Sequence, residues 1–268
     1  DGKNPTGAVR IFKILQGLTR TVLNKQYKPV LYPPGGVGSI TERVAEDYVE
    51  RGGRIEFKAA NVAFETEGKH VSKVTWDGGE IENPEQVIWT GSLHRCCSLA
   101  GIDREELPFM TIMLGLLKLN RPLPPGNDLY TYIADEDIVF NRVYYPTRSV
   151  GGLAPEGKDS LCVEITRPDF RDQSESKTLE AEIAAGLAKL GVCKPEDIDE
   201  QKFMFVPDSY PVYPLDYREK LSRIWAELDQ FDNLRSIGRS GQFWYNNMAR
   251  SMRVGIEAGQ DILGTWEA

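Results

Sequence analysis

The spacing of apolar residues divides this chain into helical and extended stretches of both periods. Over residues 5–27, Val9, Phe12, Ile14, Leu15, Leu18, Val22 and Leu23 form one apolar stripe, with Arg10, Lys13, Arg20 and Lys25 elsewhere. That predicts an amphipathic helix packed on the body of the protein, with a basic membrane-surface helix as the other reading. Residues 29–34 read as extended and lead into Gly35-Gly36-Val37-Gly38. A helix over 39–51 then turns Ile40, Val44 and Tyr48 inward and stops at Gly52-Gly53. Short strands follow at 54–58, 61–65 and 71–76, with a hairpin turn at Asp77-Gly78-Gly79 into Glu80–Ile81. The apolar run 87–90 predicts a buried strand.

Beyond Phe109 the pattern becomes strand-rich. Residues 111–119, 129–134, 138–144, 160–166 and 203–206 read as an antiparallel sheet, with Tyr130, Tyr132, Phe140 and Tyr144 lining one of its faces. A helix over 177–190 places Leu179, Ile183, Leu187 and Leu190 on one side and ends at Gly191. Asp216 and Glu219 have the spacing of a capping box for a helix that buries Tyr217, Leu221, Ile224 and Leu228. In the last helix Met248, Met252, Ile256, Gly259 and Leu263 share a face. The fold class is α/β in content, of the α+β kind.

Two features of the final stretch bear on chemistry. Gly238 and Gly241 bracket Arg239 just ahead of a helix, and Gly255 and Gly259 lie four apart within it. Glycine inside a helix costs about 1 kcal/mol relative to alanine. One reading is a tight turn with a closely packed helix. The other is a backbone kept bare for the approach of a flat or phosphate-bearing ligand.

Composition narrows the classes. The net charge of −8 argues against a nucleic-acid surface. No apolar run approaches eighteen residues, so no transmembrane segment is expected, and no basic-then-apolar leader is evident. Cys96, Cys97, Cys162 and Cys193 lack metal-binding spacing, so the expectation is no metal site and free, buried thiols in a cytoplasmic protein.

The run Ile237-Gly-Arg-Ser-Gly-Gln-Phe-Trp-Tyr-Asn-Asn-Met248 resembles the C-terminal flavin-contacting segment of FAD-dependent amine oxidases and protoporphyrinogen-oxidase-like proteins. It is also similar to that of UDP-galactopyranose mutases. Far upstream, Tyr32-Pro-Pro-Gly-Gly-Val-Gly38 resembles a second glycine motif of the same families, in the expected order. The resemblance implies part of a two-domain FAD/NAD(P)-binding fold with an inserted antiparallel-sheet-plus-helices substrate domain. Residues 28–104 and 231–268 would be the remainder of the FAD-binding domain and 105–230 the substrate domain, to which 1–27 would contribute a helical segment.

It further implies cofactor contacts at Gly35, Gly36, Gly38, Val62, Gly238, Arg239, Gly241, Phe243, Tyr245 and Met248. Arg239 and Arg142 are the candidate catalytic residues. A guanidinium there would stabilise negative charge on the flavin or a substrate anion, whereas the plain alternative is a structural salt bridge. Phe243 and Tyr245 suit an aromatic wall or core packing equally; Tyr210 and Tyr213 are pocket candidates by resemblance alone. Two departures stand out. The strand–Gly-x-Gly-x-x-Gly–helix unit that seats a dinucleotide in these families does not occur in the chain, so the sequence reads as their C-terminal portion. Ala249 stands where relatives usually carry aspartate. Both imply that the chain alone binds FAD weakly or not at all, the missing N-terminal half being the expected partner besides a small-molecule substrate. Three functions follow: a flavin-dependent oxidoreductase, a mutase-like flavoprotein, or a non-catalytic interaction module on a degenerate scaffold.

Overall fold

The computed structural model describes residues 32–103, 107–170 and 172–264; the helix expected over 5–27 lies outside them. Its largest element of order is a five-stranded sheet built around β5 (Phe109–Leu119). β5 pairs antiparallel on one side with β8 (Asp159–Arg167) and on the other with β9 (Ile198–Pro211). Outside β8 lies β7 (Arg142–Tyr144), then β6 (Tyr130–Tyr132), giving the order β6-β7-β8-β5-β9, and the single turn α3 (Pro146–Ser149) follows β7 along the chain.

Period-two alternation decides what each face carries. Met113, Leu117 and Leu119 of β5, Leu161, Val163 and Ile165 of β8, and Val143 of β7 point into one core. That core is roofed by α4 (Leu179–Lys189) through Leu179, Ile183 and Leu187; Leu190, expected on the same side, caps the helix end and is exposed. Gly115 lets the roof sit close: a Cβ there would come within 2.8 Å of Val163 Cγ2 and 3.3 Å of Ile183 Cδ1. Full burial of one such aliphatic side chain is worth roughly 1.5–3 kcal/mol, so this face holds the sheet together. The alternate positions, Ile112, Leu114, Arg142, Tyr144, Cys162 and Glu164, are left for the opposite face.

A second core joins the ends of the chain. The meander β1 (Ala63–Glu67), β2 (His70–Trp76) and β3 (Gly79–Glu82) turns at Asp77-Gly78 as expected. β4 (Val87–Trp89) pairs in parallel with β10 (Leu234–Ser236), which arrives from the far end of the sequence. Between them pack α2 (Leu93–Leu99) and α5 (Tyr217–Leu228), through Leu93, Cys96, Cys97, Ile224 and Leu228. Asn233, 2% exposed, ties the layers: its side chain accepts from the Val71 N–H at 2.9 Å and donates to the Val71 and Pro84 carbonyls. Its own carbonyl accepts from Val87.

Several expectations are corrected. Residues 54–58 form no strand; Phe57 is 81% exposed and Lys58 turns to φ +60°, which ends any extension. α1 (Gly38–Glu50) forms as expected, but Val44 and Tyr48 are exposed and no residue of the helix is buried. Asp216 makes no capping box; its carboxylate pairs with Lys220 one turn on, at 3.0 Å. Phe140 does not share a face with Tyr130, Tyr132 and Tyr144. It lies outside the three paired residues of β7, where pleat alternation no longer binds, and turns into the core. The run at 87–90 is half-buried, with Ile88 exposed, because β4 belongs to a sheet of two strands. Gly238 and Gly241 do not merely precede a helix but bound one, the single turn α6 (Gly238–Gly241), before α7 (Met248–Leu263). Among the described residues no helix is long and apolar enough to cross a membrane.

Candidate functional site

The sheet face turned away from α4 floors a cavity of about 810 Å³. Ile112 and Leu114 of β5, Cys162 and Glu164 of β8, and Tyr144 of β7 reach it because they hold the alternate pleat positions. The opposite wall includes Tyr32, Gly36 and Val37, so the upstream glycine motif faces the sheet. Gly35 and Gly36 adopt φ +82° and +93°, a region that costs glycine nothing and other residues strain.

Arg142 sits on this face in a closed network. Glu164, 3% exposed, lies across the strands from it in register. Its Oε2 accepts from Arg142 Nη2 at 2.5 Å and Nε at 3.2 Å and from the Tyr144 hydroxyl at 2.8 Å. Oε1 accepts from the Tyr210 hydroxyl at 3.0 Å. Arg142 also donates to the Tyr132 and Tyr210 hydroxyls, and its guanidinium lies 4.7 Å from the ring centre of Tyr144. Burial works against the charge on Arg142, but the hydrogen bond and charge of Glu164 prevail and raise its pKa. Burial first, and Glu164 second, push the Tyr144 and Tyr210 phenols above their ordinary range. Both phenols therefore stay protonated at neutral pH, as hydrogen-bond donors rather than bases.

Arg239, the other candidate arginine, is held by main chain: Nε donates to the Ser209 carbonyl at 3.1 Å and Nη1 to the Asn246 carbonyl at 2.5 Å. Its guanidinium lies beside the rings of Tyr210 and Tyr245, 4.7 and 4.4 Å from their centres, the two rings being 5.4 Å apart. Tyr210 thus touches both arginines, one through its hydroxyl and one through its ring. Tyr213 packs on Tyr217 and Phe243 and accepts from the Tyr245 N–H at 2.7 Å.

The remaining predicted residues divide by surroundings. Phe243 is 1% exposed and packs edge-on against Phe109 and Tyr213, so its ring belongs to the second core. Gly241 is bare for a packing reason: a Cβ would meet Ser236 Oγ at 3.0 Å and the Gly91 and Trp89 carbonyls at 3.2 and 3.3 Å. The Val62 carbonyl accepts from Arg95 at 2.9 Å. Tyr245 and Met248 are exposed, and a Cβ at Gly38, Gly238, Gly255 or Gly259 would meet nothing within 4 Å. The glycines of α7 thus leave an open backbone surface. Burial pushes the Cys96 thiol up to about 12 and those of Cys162 and Cys193 to about 11, which leaves no reactive thiolate among these three.

Sequence reasoning missed Glu164. It occupies one place in an otherwise apolar strand, Leu161-Cys-Val-Glu-Ile165, and a charged residue within such a strand was the available signal.

Comparison with known proteins places this geometry. Of solved structures, reduced UDP-galactopyranose mutase superposes with a TM-score of 0.75 at 19% identity, over 88% of this chain and 54% of the other. A protein of Exiguobacterium sp. described as a putative protoporphyrinogen oxidase gives 0.62 at 16% identity, over 85% and 51%. Over the part it spans, the chain has the same fold as these two proteins. Among curated proteins, the zeta-carotene-forming phytoene desaturase of Myxococcus xanthus is 25% identical over 210 residues, 68% of this chain and 40% of that protein. No family model matches the chain. The chain spans about half the length of the solved structures it resembles, and less of the desaturase.

Proposed function

We propose that this chain supplies the substrate-facing sheet and the C-terminal flavin-contacting segment of an FAD-dependent oxidoreductase of the amine-oxidase-like kind. In this reading substrate is oxidised at a C–N or C–C bond. The observation that carries the reading is the cavity itself, which sets the glycine motif opposite the sheet face bearing Tyr144 and Glu164. When bound, FAD accepts the hydride, which is why the site needs few acid–base groups of its own. The bare backbone at Gly35, Gly36 and Gly38, the approach at Gly238, Tyr245 and Met248, and the open glycines of α7 are the places that would admit it. Gly241 and Phe243 would shape that segment from behind. Arg239 holds the segment to β9, and Arg142, paired with Glu164, fixes the acid that holds the Tyr144 hydroxyl at the cavity wall.

Ala249 offers no acceptor at the start of α7. The chain alone therefore holds FAD weakly or not at all, and an N-terminal FAD-binding half completes the site. The apolar side of α7, with Ile256 60% and Leu263 74% exposed, supports such a covering partner over a self-sufficient interaction module. Four free thiols suit a reducing compartment such as the cytoplasm. The test is a flavin absorbance titration of the chain with and without a candidate N-terminal half. Binding that appears only with the half supports the reading; none in either case overturns it.

The likeness to UDP-galactopyranose mutase favours a second reading, a mutase-like flavoprotein. Turnover of UDP-galactose that requires reduced flavin would select it.

A further inference from the structure

The cavity between the glycine motif and the sheet carries enough chemistry to narrow its occupant, provided it is the substrate pocket proposed above. Its walls are mostly aliphatic and aromatic, with Ile112, Leu114, Leu129, Leu153 and Val206 among them. The charge beside it is already spent. Glu164 receives Arg142 through two nitrogens and both neighbouring phenols, and Arg142 gives a further hydrogen bond to Tyr132. A phosphate or carboxylate entering here would lie beside the Glu164 carboxylate, with the nearby guanidinium already committed to that acid. An ammonium would meet the Arg142 charge instead. Either ion would give up water for an apolar wall, and burying an unpaired charge is strongly unfavourable. A neutral molecule loses nothing comparable and gains the contact of the walls.

We propose that this cavity accepts a neutral, predominantly apolar substrate, a hydrocarbon chain or ring system, and excludes nucleotide sugars and other anions. The Arg142–Glu164 pair acts as a neutralised, rigid floor, and the protonated Tyr144 hydroxyl is its polar mark.

The test uses the 268-residue chain and Nile red, a neutral dye that brightens in apolar surroundings. Leu114→Asp puts a charge on the cavity floor and should weaken dye binding about tenfold or more. Leu114→Phe fills the same space without charge and should also weaken it, which keeps the test valid if the aspartate variant fails to fold. Ile81→Asp, on the exposed strand β3 away from the cavity, should leave binding unchanged, and millimolar UDP-galactose should not displace the dye. Undiminished binding in both Leu114 variants, loss only in Ile81→Asp, or displacement by UDP-galactose would each overturn the proposal. FAD titration run alongside separates the two claims. Failure to bind FAD with the N-terminal half present sinks the flavin reading and leaves the dye result standing. FAD binding with a displaced dye sinks the substrate class alone.

Discussion

The sheet and the last helix spend their apolar residues in opposite ways. In β5, β8 and α4 almost every inward aliphatic side chain is sealed within one core. In α7, Met248, Met252, Ile256 and Leu263 fall on one side at helical spacing and remain exposed, and Ala258 is its only buried residue among those described. α1 repeats the pattern with Val44, Tyr48 and Val49. The contrast teaches that amphipathic spacing specifies a face but not what covers it. The sheet finds its cover within the chain, whereas α7 keeps a face suited to another body.

Substitutions can break that contrast. The largest effect belongs to the sheet: Glu164→Ala leaves Arg142 without its counter-charge in a part-buried site and should cost about 3–5 kcal/mol, read by chemical denaturation. Asn233→Ala strips partners from the buried Val71 N–H and carbonyl and should cost about 3 kcal/mol in the second core. Gly241→Ala presses a methyl group on the Trp89 and Gly91 carbonyls and should cost about 1–3 kcal/mol. Ile256→Glu on α7 should change stability by no more than about 0.5 kcal/mol, yet abolish association with an N-terminal half in a pull-down of the two. A cost comparable to that at Glu164 would mean that α7 is already covered within this chain.

Acid titration sharpens the comparison with the smallest effect. Arg121 and the Lys194 N–H hold the Asp197 carboxyl down to about 2. A depressed acid stabilises the fold above its unfolded pKa and loses that contribution as pH falls through the folded one. The stability gap between the parent and Asp197→Asn should therefore be full at neutral pH, start to shrink near about pH 4, and close toward pH 2. The exposed ion pair between Arg235 of β10 and Asp261 of α7 should contribute no more than about 1 kcal/mol, read as the loss of stability in Asp261→Asn.

Much of this was legible in the residues. Apolar periodicity located β5, α4, α5 and α7, and the two glycine motifs pointed to the flavoprotein fold that the solved structures share. These are local properties, in which spacing of two or 3.6 residues and backbone freedom act within a few positions of the chain. What the sequence left undecided depends on partners far away. Glu164 becomes the counter-charge of Arg142 only through the β7–β8 register, and Tyr210 joins both arginines only because β9 runs beside β5. Asp216 prefers Lys220 to a helix cap, and Phe140 turns inward where strand pairing stops. Pairing and burial are set by which surfaces meet in space, so the sequence alone determined the elements and their motifs. Tertiary structure decided which arginine is neutralised, which glycine stays open and where the cavity lies.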